Sequence, residues 1–165
     1  MDITELTIIS ALKLMREKKL TSHDLVAACL ENIEKFNKKY NALITVEAED
    51  KLFRQAREAD ATDYSLPLCG IPIVVKDMYS TAGLKTTAGS KVLNNYVPEY
   101  DATVIRKLKE AGAIIIGKAN QDAWAHGSSG ENSQYGPTLN DYNPDYVPGG
   151  SYSGSAVAVA LGMCL

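Results

Sequence analysis

The sequence predicts an α/β fold: a mixed, twisted sheet with flanking helices, incomplete at its C-terminal end. Three observations carry that expectation. Apolar residues recur at helical spacing through the first sixty or so positions, two short β-branched runs follow at 71–75 and 113–116, and a helical stretch at 101–111 lies between them. Strand, loop, helix and strand in that order imply a right-handed crossover and therefore parallel pairing. The 165 residues suit one domain, which changes character from a helical part at 1–62 to an α/β core at 63–165.

Each element has its own signature. Ile8, Leu12 and Met15 share a helix face, and after Leu20 the pair Thr21 and Ser22 precedes a second helix whose face carries Leu25, Cys29, Ile33 and Phe36. Ser22 is the expected N-cap and Asn41 the expected end. Leu43–Val46 reads as a short strand, and 47–61 as a charged helix with Ala48, Leu52 and Ala56 facing inward. Pro67, Gly70 and Pro72 then punctuate the chain before the run at 71–75, which Lys76 closes. Gly83 and Gly89 mark a polar loop, after which Asp101 starts and Gly112 ends the next helix. Residues 118–155 are rich in Gly, Ser, Asn and Tyr, the composition of an ordered loop rather than a linker, because tyrosines are costly to leave solvated. That loop closes on GGSYSGS at 149–155 and feeds an apolar helical segment at 156–165. An apolar segment in that place needs a partner to cover it, so truncation is expected.

Composition narrows the function classes. Hydrophobic residues make up 45% and charged residues 22%, and the net charge of -3 comes from interspersed acids and bases. No basic stripe is present, so any RNA is held by another chain. Cys29, Cys69 and Cys164 are widely separated in apolar surroundings, which fits reduced core thiols in a cytoplasmic protein better than disulfides or a metal site. Neither a charged-then-apolar leader nor an apolar run of about 18 residues points to export or membrane insertion.

Two constellations have chemical promise. The glycine-rich turn at 149–155 feeds a helix N-terminus, whose N–H groups favour anionic or polarised oxygen. It lacks the Gly-Lys-Ser/Thr ending of a phosphate loop, the Gly spacing of a nucleophile elbow and the preceding strand of a dinucleotide fingerprint. A serine-rich catalytic loop and a plain flexible turn both stay open. Lys76, directly after a β-branched run, is the second: burial disfavours the ammonium and would leave an amine able to act as a base. Alternatively it extends to solvent from the strand end or pairs with Asp77. His23 lies in a predicted helix and His126 beside a polar loop, so serine activation, if it occurs, falls to lysine.

Three blocks in order, 70–77 (GIPIVVKD), 117–120 (GKAN) and 149–159 (GGSYSGSAVAV), resemble the successive motifs of the amidase-signature family. The resemblance implies that family's fold and a Ser-Ser-Lys triad. Lys76 matches the lysine, Ser151 matches the bridging serine that follows a non-proline cis peptide, and the nucleophilic serine lies beyond Leu165. Further blocks at 90–104 and 127–133 (GSSGENS) are similar to the A subunit of tRNA-dependent amidotransferases. That similarity implies a glutaminase that releases ammonia to convert Glu-tRNA(Gln), or Asp-tRNA(Asn), in a heterotrimer with subunits B and C. Ser128, Ser129, Gly149 and Gly150 would line the glutamine site, no cofactor is expected in this chain, and the partner subunit is expected to carry ATP and magnesium. The alternatives are a stand-alone amidase acting on a small amide and an inactive fragment lacking the nucleophile. Tyr152 and Ser153 stand where the family's loop usually has serine and glycine, and Gln121, Trp124 and His126 replace residues more often Met, Phe and Met.

Overall fold

Thr21, not Ser22, caps the long second helix. In the computed structural model, which describes residues 3–165, the first two helices are α1 (Ile8–Arg16) and α2 (Ser22–Tyr40). Both begin with a reciprocal cap: Thr7 exchanges hydrogen bonds with Ser10, and Thr21 accepts from the Asp24 N–H while Asp24 accepts from the Thr21 N–H. Ser22 is the first helical residue and fully buried, and its hydroxyl donates to the Gly70 carbonyl at 2.7 Å. Either hydroxyl could have capped; the acid at the third helical position selects the residue three places before it. Asn41 ends α2 in the left-handed region, as expected, at φ 52°.

The remaining α-helices and strands are β1 (Leu43–Val46), α3 (Glu49–Asp60), β2 (Pro72–Lys76), α4 (Thr103–Glu110), β3 (Ile114–Ala119) and α5 (Ser153–Ala160). The sheet order is β1-β3-β2, with β2 parallel to β3 and β1 antiparallel to it. The mixed sheet is as expected, and its edge strand β1 comes from the largely helical first third of the chain.

Several boundaries differ from those the sequence predicts. Helix α3 starts at Glu49 because Glu47 still donates its N–H to the Ile116 carbonyl, and Ala48 caps the helix from an exposed position rather than facing inward. Asp101 does not open α4; its carboxylate accepts from the Ala82 N–H and Lys109. Strand β3 runs three residues past Ile116, so Lys118 and Ala119 belong to the sheet rather than the long loop. Gly117 hides that continuation, yet the sheet requires it: a Cβ there would lie 2.4 Å from the Thr45 carbonyl oxygen of β1. Helix α5 begins at Ser153 rather than 156, with Gly154 so close to the sheet that a Cβ would meet the Ala42 oxygen at 2.2 Å.

Helices cover both faces. On one, α1, α2, α3 and α5 enclose a core that includes Met15, Leu25, Cys29, Leu52, Ile116 and Val157. Each such side chain contributes about 1.5–3 kcal/mol on removal from water. On the other, α4 sets Ile105 against Val75 and Ile115. Cys29, Cys69 and Cys164 are free and buried. Among the described residues no helix is long and apolar enough to cross a membrane.

Candidate active site

Strand alternation along β2 turns Lys76 to the face opposite Val75, toward α5 and the turn that precedes it. There the Lys76 Nζ donates to the Ser151 Oγ at 2.6 Å. The Gly150–Ser151 peptide is cis. The two residues singled out from the sequence are therefore in direct contact, and the pairing of Lys76 with Asp77 does not occur. Burial pulls the Lys76 ammonium below the usual lysine range, while the carboxylate of Asp122 opposes that shift. The Tyr152 ring lies 5.4 Å from the same Nζ, within cation–π range.

Asp77 instead turns back under the sheet with Lys118, both side chains wholly buried. Its carboxylate accepts from the Thr87 hydroxyl and from the N–H groups of Thr87 and Gly89, at 3.1 and 3.3 Å. Lys118 donates to the Tyr79 carbonyl and the Thr86 hydroxyl, each at 2.7 Å. The 3.8 Å separation of Lys118 from Asp77 Oδ1 is an ionic contact without a hydrogen bond, and that oxygen has no hydrogen-bond partner. These bonds tie the segment leaving β2 back onto β3 and fix the strand end that carries Lys76.

The four residues expected around substrate lie on two adjoining loops. Gly149 sits at φ 83° with open space around it, whereas Gly150 is packed so tightly that a Cβ would fall 2.2 Å from Asp122 Oδ2 and 3.0 Å from the Ser128 carbonyl carbon. Ser128 is exposed and Ser129 half-buried, its hydroxyl accepting from the Glu131 N–H at 3.3 Å. Below them Ser153 bonds Thr138 at 3.1 Å. Beside Lys76 opens a cleft of about 290 Å³ lined by Tyr79, Val104, Leu108, Tyr152 and Ser155. His23 stacks on Phe53, and His126 is exposed, so neither approaches the pair as a rival base. Among the described residues no group of three His, Cys, Asp or Glu side chains is placed to hold a metal ion.

Asp122 and Lys118 were not foreseen. Lys118 had a signal, since a lysine two residues beyond three isoleucines is a candidate for burial in the same strand. Asp122 had none: its surroundings come from loops 5 to 29 residues further along the chain.

Comparison with known proteins places the sequence and the fold. A family model described as Amidase matches residues 24–165. The A subunit of the glutamyl-tRNA(Gln) amidotransferase from Geobacter metallireducens is 48% identical over 163 residues, covering 97% of this chain and 33% of the relative. Its counterpart from Desulfatibacillum aliphaticivorans is 46% identical over 167 residues, covering 100% and 34%. Among solved structures, the peptide amidase of Stenotrophomonas maltophilia superposes with a TM-score of 0.90 at 33% identity, over 99% of this chain and 35% of that one. The A subunit of the Thermotoga maritima glutamyl-tRNA(Gln) amidotransferase superposes at 0.80 with 36% identity, over 99% and 33%. The chain thus spans about a third of the length of the relatives it matches. In sequence and in fold, this chain belongs to the amidase-signature family.

Proposed function

We propose that this chain supplies the base side of a Ser-Ser-Lys relay in the glutamine-hydrolysing subunit of a tRNA-dependent amidotransferase. The contact between Lys76 and Ser151 carries the reading. In the ammonium form Lys76 donates to Ser151; as a neutral amine it accepts the Ser151 proton while Ser151 takes one from the nucleophilic serine, which lies outside the 165 residues. That serine attacks the glutamine side-chain amide, the carbon–nitrogen bond breaks, ammonia leaves, and water releases glutamate from the acyl-enzyme. Ser128, Ser129, Gly149 and Gly150 form the wall where glutamine would bind. Subunits B and C complete a cytoplasmic heterotrimer in which ATP and magnesium activate the charged tRNA on the partner. Support for the amidotransferase branch comes from relatives at 46% and 48% identity that bear that name.

A second reading, a stand-alone amidase for a small amide, is favoured by the peptide amidase superposition. One experiment addresses both. Joining this chain to the remaining two thirds of the G. metallireducens relative gives a complete enzyme, assayed with that organism's subunits B and C. Glutamine-dependent ammonia release that Lys76→Ala and Ser151→Ala each lower by at least about a hundredfold, as expected for loss of a general base, supports the proposal. Near wild-type rates in either variant remove the relay. Hydrolysis of small amides with no activity on glutamine selects the second reading.

A further inference from the structure

We propose that Asp122 is a positioning residue for the Lys76–Ser151 pair: one buried carboxylate that clamps both loops of the site and provides the negative charge facing the Lys76 ammonium. This rests on the function proposed above only for its catalytic consequence; the clamp stands on geometry, and the charge acts on Lys76 from beside Gly150 and Ser151, the serine to which Lys76 donates.

Asp122 follows β3 by three residues and is fully buried. A buried carboxylate must be matched by hydrogen bonds or an opposite charge, because its desolvation is otherwise prohibitive. It has both. Its oxygens accept from the Gly130 N–H, each at 3.1 Å, and from the Asn132 N–H at 2.9 Å. Those bonds fold the 127–132 loop, with Ser128 and Ser129, around the carboxylate. Gly127 and Gly150 are both in contact with it, since a Cβ on either would fall within 2.5 Å of an Asp122 side-chain atom. The Asp122 N–H donates to the Ser151 carbonyl at 3.1 Å, so the same residue fixes the backbone of the bridging serine. Glycine at 150 is thus required by Asp122, independently of any requirement of the turn.

The second role concerns charge. Groups near Lys76 are Ser151, the Tyr152 ring across the pair, Tyr79 in the adjoining cleft, and Asp122. Asp77, next in the chain, is turned to Lys118 on the other face. Asp122 is therefore the acid that acts on Lys76, and it raises the lysine's proton affinity against the lowering by burial. A lysine that burial alone governed would lose its proton at lower pH; the carboxylate retains it to higher pH and keeps the ammonium docked on Ser151.

The test follows Lys76 itself, in the 165-residue chain, so it does not depend on turnover. Competitive acylation of lysines read by mass spectrometry across pH gives the Lys76 titration in the wild type, Asp122→Asn and Asp122→Ala. Asn keeps the shape and part of the hydrogen bonding but not the charge, so the Lys76 curve is expected at lower pH in Asp122→Asn. In Asp122→Ala the 127–132 loop is also expected to become susceptible to limited proteolysis. A purely structural residue would change proteolysis without moving the Lys76 curve in Asp122→Asn, and that outcome overturns the proposal. Should the variants unfold, the wild type still decides: the carboxyl carbon-13 shift of Asp122 must carry an inflection at the Lys76 titration, and a curve without one rejects the charge pairing. Failure of the glutaminase assay with a moved Lys76 curve would remove the proposed function and leave the clamp standing.

Discussion

Two lysines at neighbouring strand positions show what decides the behaviour of an amine. Lys76 stays half-buried against a serine hydroxyl and a tyrosine ring, whereas Lys118, wholly enclosed, is pushed down to about 8 by burial, with Asp77 opposing. The Asp77 carboxyl is itself raised by burial, with the Thr87 hydroxyl and Lys118 opposing. Because Lys118 titrates near 8 in the fold and near the ordinary lysine value of about 10.4 unfolded, the unfolded chain binds more protons between those values. Stability attributable to this group therefore rises with pH across about 8 to 10.4 and is constant below that window. Lys118→Met is expected to cost about 3–5 kcal/mol at neutral pH, the usual result of stripping one partner from a buried ion pair. The gap between wild type and variant, read by urea unfolding, should widen as pH passes 8; a gap that narrows would contradict the assignment. Nothing local in the sequence separates the two lysines, since both end or extend β-branched runs, and only the packing of the 77–89 segment makes one a structural cation.

At the scale of elements, the helices and the strand β2 were legible because period and punctuation are local properties. What escaped were ends decided by partners far along the chain. Gly117 and Lys118 look like a loop until β1 is laid beside them, and the start of α5 is set by the close approach of Gly154 to β1 and the end of β3. The cap of α2 is the clearest case, because two candidate hydroxyls stand side by side. Thr21→Ala should cost about 1 kcal/mol, an ordinary cap loss. Ser22→Ala removes the buried donor to the Gly70 carbonyl and should cost about 1–3 kcal/mol. Denaturant midpoints at unchanged slope measure both; a neutral Thr21→Ala together with an ordinary cap loss in Ser22→Ala would make Ser22 the cap instead.

Across the whole molecule, the site is assembled where the carboxyl end of β2 meets the turn before α5, with the long loop after β3 folded over both. Lys76 and Ser151 were readable as a pair only through the order of the blocks around them, because 75 residues of chain separate them. Sequence spacing alone left a flexible turn and a solvated lysine open. The sheet brings the two together: β2 and β3 in parallel register set Lys76 opposite Ala119, and the chain leaving β3 carries Asp122 to the Ser151 backbone.

The most direct test of the central claim is the pH dependence of glutamine hydrolysis in the completed enzyme, set against the Lys76 titration measured by acylation. A neutral amine is the active form, so the rate should climb as pH rises through the Lys76 titration, which burial places below the usual lysine range. That rising limb should be absent from any residual activity of Lys76→Met. A rate that is level or falling while Lys76 loses its proton would show that this amine is not the base.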